Sequence, residues 1–376
     1  MLYRQFDRIG QPLSLLGFGA MRFPLTKTGE VDEAEAIRLI RHAIDSGINY
    51  IDTGYTYHGG KSEVIIGKAL KGGYREKALI ADKLPIWLVE KEEDTRKFLE
   101  RQLQRLDTDF IDLYLIHCIN HEAWEIMDRC RVMDHIEEFR KEGKIGRIGF
   151  SYHDDLALFK EVIDSYPWDF CQIQLNYVDT EFQAGLEGLH YAGEKDIPVI
   201  VMEPLKGGRL TDSVPPAIQN IWDTAPVKRT PAEWAFKWVA SQPEVAVILS
   251  GMSSMEQLDQ NLDLFSRGDM SVLTGPELAS IEQVADLYRQ LIQYPCTECR
   301  YCMPCPNGVN IPRLIRYYND WCVYEHNPKL KDEYLIWQDE SEHASNCVKC
   351  GACESHCPQH LPIMSIMDKI VQAFGR

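Results

Sequence analysis

Eight of the chain's twelve cysteines fall in two short runs near its C-terminus. The first holds Cys296, Cys299, Cys302 and Cys305 and is followed at once by Pro306; the second holds Cys347, Cys350, Cys353 and Cys357, followed by Pro358. The second run reads C-x2-C-x2-C-x3-C-P, a spacing that delivers thiolates to a [4Fe–4S] cluster. The first run has one residue fewer before its last cysteine and is otherwise alike. Two such runs predict two [4Fe–4S] clusters. Zinc is the competing reading, because paired C-x2-C units also build tetrahedral zinc sites. The proline that closes both runs favours the clusters. Cys118, Cys130 and Cys171 lie in apolar or helical patterns and read as ordinary thiols, whereas Cys322, beside Trp321, reads either way.

A second chemically capable set lies far upstream: Asp52, Tyr57, Lys83 and His117. An unperturbed phenol has a pKa of about 10 and gives up a proton poorly at neutral pH. A neighbouring ammonium favours the phenolate, and a carboxylate keeps that ammonium charged. Tyr57 can then act as general acid toward a carbonyl oxygen while hydride arrives at the carbon. His117 can donate a hydrogen bond to the same oxygen as charge develops on it. Each residue has a plainer reading: a Tyr near a glycine pair packs a loop, a Lys–Asp pair is structural, and a strand-end His fills a core. The combination of four at successive strand ends favours chemistry.

The elements that must position these residues follow from the apolar pattern. Candidate strands are residues 15–19, 50–53, 78–82, 110–117, 145–151, 170–175, 198–203 and 245–251. Amphipathic helical stretches separate them, at residues 31–46, 62–70, 94–106, 132–142, 156–165, 185–195, 231–240 and 255–265, with a further helix at 276–292. Eight strands alternating with eight helices over about 250 residues form the (β/α)8 barrel pattern. An open doubly wound sheet would carry a glycine-rich G-x-G-x-x-G turn after its first strand, and none is present. Barrel catalysis gathers where strands end at the C-terminal face. There, Asp52 and Tyr57 follow the second strand, Lys83 the third and His117 the fourth.

Composition turns abruptly to Cys, Pro and aromatic residues at Tyr294, which divides the chain into a barrel over residues 1–292 and a small, mostly helical domain over 293–376. The net charge of −17 excludes nucleic acid as a partner, since phosphate binding needs clustered Lys and Arg. No stretch of 18 uncharged apolar residues is present and the N-terminus lacks an apolar signal core, so a cytoplasmic protein with no membrane span is expected.

The contexts of the upstream set resemble the aldo-keto reductases: Asp52 with Tyr57 five residues on, Gly60-Lys61-Ser62-Glu63, Ala81-Asp82-Lys83-Leu84, and Asp112-Leu113-Tyr114-Leu115-Ile116-His117. The likeness spans roughly residues 1–290, and the whole chain is similar to the branch with a C-terminal ferredoxin-like domain. It implies a barrel that holds NAD or NADP extended across its top and a small carbonyl or alcohol substrate. It implies Ser151 and Gln172 as carboxamide contacts, with Tyr152 where an Asn usually stands and Asn176 where Asn is common. It puts Met202 where an aromatic ring normally stacks on nicotinamide, and Pro204, Leu205 and Gly207 at the pyrophosphate. The adenosine segment is Ser250–Asn261, with Gly251, Ser253, Gln257 and Asn261 as contacts. Gly251 and Gln257 stand where many relatives place cations for the 2′-phosphate of NADP, which tilts the expectation toward NAD or no strong preference. Lys206 or Arg209 remain as alternative phosphate contacts. Trp87, Asn120, His121 and Trp124, on loops after the third and fourth strands, either wall the substrate pocket or pack a lid.

If the cysteine segment follows two-cluster ferredoxins, the fourth Cys of each run serves the other cluster. Cys296, Cys299, Cys302 and Cys357 then form one site, and Cys347, Cys350, Cys353 and Cys305 the other. The insert between the runs, with residues 311–319 helical in pattern, resembles helical ferredoxin domains. Three functions compete. The chain is a carbonyl reductase with structural or docking clusters; or the clusters exchange electrons with a ferredoxin or another redox partner, a flavin being one converter, with no flavin motif visible; or the barrel binds nicotinamide without turnover.

Overall fold

The computed structural model describes residues 1–376 except 213, 295, 297–301, 325–327, 338, 358, 359 and 376. Cys299, one of the expected cluster ligands, therefore lies outside the described residues.

Eight parallel strands close on themselves in chain order. They are β1 (Leu16–Gly19), β2 (Tyr50–Asp52), β3 (Leu79–Leu84), β4 (Ile111–Ile119), β5 (Ile145–Tyr152), β6 (Phe170–Gln174), β7 (Val199–Met202) and β8 (Val245–Ser250). Strand β8 pairs with both β7 and β1, which completes the barrel. All eight expected strands are present. Three end later than expected, and the correction matters. Strand β3 continues to Leu84, β4 to Ile119 and β5 to Tyr152, so Lys83 sits inside its strand rather than after it and His117 lies within β4 rather than at its end. The reason is pairing. Lys83 is in register with Leu115. Strand β4 stays beside β5 past an irregularity between Ile116 and Ile119. All of β3 is buried, including Asp82 and Lys83.

The helices follow from local signals. Asp32 caps Glu33–Asp45 by accepting from the Glu35 amide at 3.1 Å, and that helix buries Ala36, Leu39, Ile40 and Ala43. Asp155 caps Leu156–Ser165 in the same way. Below the strands, Ile9 and Leu13 join Tyr50, Leu79, Leu113 and Phe170 in one apolar cluster, with Phe6 against it. The chain before β1 thus packs against the starts of the strands, leaving their ends for chemistry. The helix His121–Arg129, capped by Asn120, replaces the loop expected there. Asn120 is therefore a cap rather than a free pocket residue.

By packing, the chain groups into two units: residues 1–207 with 232–273, and residues 208–231 with 274–376. This grouping does not follow a cut after residue 292. Helix Gly275–Leu291 packs on Pro216–Thr224 and touches Ile311–Val323, so it groups with the cysteine-rich segment. The core of the second unit joins Ile311, Leu314, Ile315 and Tyr318 to Ile366, Met367, Ile370 and Phe374, with Tyr334 stacked on Phe374 at 4.7 Å between ring centroids. Asn319 accepts from the Tyr294 amide at 3.0 Å and donates to its carbonyl at 2.7 Å, clamping the chain just before the first cysteine run.

Candidate active site and cysteine-lined cavity

At the C-terminal ends of β2, β3 and β4, Lys83 Nζ donates to Asp52 Oδ1 at 2.6 Å and to the Thr53 carbonyl. Both partners of the Lys83–Asp52 pair are almost fully buried, with side chains 1% and 4% exposed. The Lys83 ammonium lies 5.0 Å from the centroid of the Tyr57 ring. Tyr57 and His117 meet edge to face at 5.8 Å between centroids, and the Trp87 ring lies 5.0 Å from the imidazole. The four residues read from the sequence are therefore gathered at one place, with Trp87 as a wall. Trp124, by contrast, donates to Glu161 at 3.0 Å, and His121 pairs with Asp155 at 3.1 Å on the surface.

Burial governs the electrostatics. It raises the Tyr57 phenol above its ordinary value, and Lys83 opposes this without overcoming it. To the pull of the ammonium the fold adds the cost of forming a phenolate away from water. Burial also raises Asp52, against the pull of Lys83. For Lys83, burial disfavours the charge, but Asp52 and Tyr57 outweigh it and hold the ammonium above its ordinary value. His117 falls well below the usual imidazole value through burial first and Lys83 second, so it is a neutral ring at physiological pH.

Two features of this site escaped the sequence reading. Gly54 is one: a Cβ there would lie 3.1 Å from Tyr57 Cε1 and Cζ and 3.3 Å from His117 Cε1, so the bare backbone admits both rings. The other is a buried carboxyl pair. Asp82 Oδ1 accepts from the Lys83 amide at 2.8 Å, and Glu63 Oε2 accepts from Arg105 at 2.7 Å. The remaining oxygens of the two carboxyls, Asp82 Oδ2 and Glu63 Oε1, are buried without a hydrogen-bond partner among the described residues. Burial, then the Glu63 charge, lifts Asp82 well above the usual range. The signal was visible as Asp82 beside Lys83 and Glu63 in Gly60-Lys61-Ser62-Glu63, but nothing local says that they meet.

The expected cofactor contacts come from β5 to β8. Ser151 Oγ accepts from the Cys118 amide at 2.8 Å. Gln172 is 2% exposed, and its Oε1 has no hydrogen-bond partner among the described residues. Met202 ends β7, half-buried, followed by buried Pro204, half-buried Leu205 and exposed Gly207. After β8, Gly251 is exposed, Ser253 donates to Gln257 from amide and hydroxyl at 2.9 and 3.2 Å, and Asn261 donates to Ser250 at 3.2 Å. Asn176 is fully buried and tied to Asp179 and the Glu203 carbonyl, a loop-holding role. Tyr152 is buried and donates to the Asp155 carbonyl.

In the second unit, a cavity of about 320 Å³ is lined by Cys302, Cys305, Cys347, Cys350 and Cys353 together with Met303, Met364 and Met367. Among the described residues no three thiols converge within 4.8 Å of one another. A single zinc, with Zn–S bonds of about 2.3 Å, requires closer sulfurs than that. Thiols spread around a cavity suit a larger inorganic group. Cys296 is partly buried against the same core, and Cys357 is buried.

Among the described residues no helix is long and apolar enough to cross a membrane. The family model for the Aldo/keto reductase family matches residues 15–285, and that for a 4Fe-4S dicluster domain matches residues 295–361. L-galactose dehydrogenase of Arabidopsis thaliana is 27% identical over 316 residues, covering 77% of this chain and 95% of that protein. The aldo-keto reductase AKR11C1 from Bacillus halodurans, in its holo form, superposes with a TM-score of 0.65 at 25% identity, over 76% of this chain and 96% of its own. An aldo/keto reductase from Klebsiella pneumoniae, solved in complex with NADP and acetate, gives 0.58 at 25% identity, over 73% and 92% of the two chains. With its eight-stranded parallel barrel and the match over residues 15–285, the chain belongs to the aldo/keto reductase family and carries a 4Fe–4S ferredoxin-like region that follows the barrel in sequence.

Proposed function

We propose that this chain is a nicotinamide-dependent oxidoreductase that interconverts a small carbonyl compound and its alcohol. The observation that carries the reading is the buried Asp52–Lys83 pair at 2.6 Å, set against the Tyr57 ring with His117 alongside. A bound nicotinamide supplies the hydride in reduction and accepts it in oxidation. Tyr57 donates its hydroxyl proton to the carbonyl oxygen. The burial that raises its pKa keeps that proton in place through neutral pH, and Lys83 makes its departure less costly at the moment of transfer. Asp52 holds Lys83 in position and charged. His117, neutral, still donates through one ring nitrogen and steadies the same oxygen.

The residues present fit the cofactor. Gln172 offers a buried acceptor with no partner among the described residues, suited to a carboxamide N–H. Ser151 accepts one bond from Cys118 and has its own proton left to donate. Met202 packs where a ring would stack, and Pro204, Leu205 and Gly207 follow it. Gly251, Ser253, Gln257 and Asn261 line the adenosine end. Gly251 and Gln257 bring no positive charge, which supports NAD or an even choice between NAD and NADP, whereas the NADP-bound relative supports NADP.

The cysteine segment, taken as a domain over residues 293–376, holds two [4Fe–4S] clusters in this reading. Cys305, Cys347, Cys350 and Cys353 ligate one and Cys296, Cys299, Cys302 and Cys357 the other, with Cys302 lining the same cavity as the first four. Such a cluster carries single electrons. A second reading is therefore an iron–sulfur protein that exchanges electrons with a ferredoxin or another redox partner. The exposure of Cys350, which brings that cavity to the surface, favours it. A reducing cytoplasm suits either reading.

The deciding experiment is anaerobic oxidation of NADH and NADPH against small aldehydes, ketones and quinones, with Tyr57→Phe alongside. Tyr57→Phe is expected to lower carbonyl reduction by roughly 10²–10⁴-fold with iron content unchanged. Equal turnover by both proteins rejects Tyr57 as the acid.

A further inference from the structure

Strand β3 outruns its neighbour β2. Strand β2 ends at Asp52, and just past it the Thr53 amide donates to the Ala81 carbonyl at 2.9 Å. Backbone groups alternate in direction along a parallel strand, so Lys83 turns its amide and carbonyl to the same edge as Ala81, where β2 has stopped. Buried backbone groups are costly without partners. Here two side chains supply them, and a third orients one of the two. Asp82 Oδ1 accepts from the Lys83 amide at 2.8 Å, and Gln102 Nε2 donates to the Lys83 carbonyl at 3.0 Å. Tyr114 donates in turn to Gln102 Oε1 at 2.7 Å, which fixes the end of that amide that faces Lys83.

These side chains meet for a geometric reason. Asp82 and Tyr114 are register partners on β3 and β4, so they leave the sheet together, on the face opposite to the Lys83 side chain. Gln102 reaches them from the helix Glu92–Leu106. All three are fully buried. Burial, then the charges of Asp82 and Glu63, raises the Tyr114 phenol well above its ordinary value, so it keeps its proton and stays a donor. On the other face of the strand, the Lys83 ammonium donates to Asp52 at 2.6 Å and lies 5.0 Å from the Tyr57 ring centroid. Its influence on Tyr57 weakens as that separation grows, so any slack in the Lys83 backbone is felt at the phenol.

We propose that Asp82, Gln102 and Tyr114 are positioning residues: they clamp the Lys83 backbone where the strand ladder ends and so hold its ammonium against Tyr57. The inference rests on the reading of Lys83 above as the cation that assists Tyr57.

The test is anaerobic reduction of the fastest aldehyde of the panel above by full-length wild type, Gln102→Met, Tyr114→Phe, Asp82→Ala and Asp82→Asn. Iron content and circular dichroism establish folding, and hydrogen exchange of the peptide spanning β3 reports whether the clamp is broken. Gln102→Met and Asp82→Ala are expected to speed that exchange and to lower kcat about tenfold, with the KM for the nicotinamide within about twofold of wild type. The alkaline limb of kcat/KM, where Tyr57 ionises, should move to higher pH, because a less firmly held ammonium favours the phenolate less. Tyr114→Phe loses only a hydroxyl and should show the same changes in smaller measure; it carries the test where the larger changes do not fold. Asp82→Asn keeps the acceptor and removes the charge beside Glu63, so it should recover most of the rate lost in Asp82→Ala. Faster exchange with kcat within about twofold of wild type and an unmoved alkaline limb overturns the proposal, because the clamp is then only structural. Equal losses in Asp82→Asn and Asp82→Ala also overturn it. A wild type that reduces no aldehyde, while its exchange still responds to Gln102→Met, overturns the reading of Lys83 and Tyr57 itself, and this inference falls with it.

Discussion

Replacing Lys83 with Met removes the ammonium but keeps a side chain of similar length, and it leaves the Asp52 carboxylate 4% exposed with no cation within hydrogen-bond reach. At 2.6 Å the lost attraction amounts to about 6 kcal/mol at an effective dielectric of about 20, before any relaxation. The carboxyl relaxes by taking up a proton. Relative to an unfolded Asp with a pKa of about 3.9, holding it neutral costs about 1.4 kcal/mol per pH unit, which caps the penalty at about 4 kcal/mol at pH 7 and about 1.5 kcal/mol at pH 5. Burial raises Asp52 even beside Lys83, so wild type already bears part of this cost. The expected loss is therefore roughly 2–4 kcal/mol at pH 7, overlapping the low end of the range of about 3–5 kcal/mol for breaking a buried pair. It should shrink toward pH 5, because a group whose folded pKa is raised destabilises the fold more as pH climbs above the unfolded value. Urea unfolding of the anaerobic protein, followed by tryptophan fluorescence at both pH values, measures the difference. In Lys83→Met/Asp52→Asn the penalty should largely vanish. A loss below about 1 kcal/mol at pH 7, or one that does not change with pH, refutes the picture of a dry, mutually dependent pair.

Three further outcomes follow. Because burial raises Tyr57 and depresses His117, kcat/KM for reduction should stay flat across neutral pH and fall only as the phenol ionises above about 10; a decline centred near the ordinary imidazole value of about 6.5 would contradict the neutral His117. Cys305→Ser should lose roughly half the iron by elemental analysis if its thiolate completes one of two clusters, while Cys130→Ser, a buried thiol of the barrel, should lose none; full iron retention in Cys305→Ser rejects the ligand assignment. Gly54→Ala should displace Tyr57 and His117 by a few tenths of an ångström and lower kcat by about tenfold with little change in cofactor affinity, and an unchanged kcat would mean that the ring positions are not critical.

How far the sequence carries depends on the range of the force involved. The eight strands are legible because each is a short apolar run whose burial on both faces is written in its own residues, as in Ile111–Ile119 and Val245–Ser250. Helix starts are legible where a side chain caps locally, as at Asp32 and Asp155. The helix His121–Arg129 was missed although Asn120 caps it, because two of its first four residues are a His and a Trp that read equally well as pocket residues. The unit that holds the cysteine runs also takes in helix Gly275–Leu291, which the turn in composition at Tyr294 does not reveal. That helix is assigned by what it packs on, not by what it contains.

The residue types able to perform this chemistry, their order along the chain and the eightfold alternation that brings strand ends together are properties of the sequence alone. A barrel that must close brings Asp52, Lys83 and His117 to adjacent strands whatever the loops do. The tertiary structure decides the rest. It sets the direction of the Tyr57 shift, because desolvation depends on every neighbour that excludes water and not on the one charged partner visible in a motif. It also decides that the Glu63 charge adds to burial in lifting Asp82, 19 positions away, and that Arg22 from the first loop lies against glycines 207 and 251. Such contacts join residues that are distant in sequence, and no local spacing encodes them.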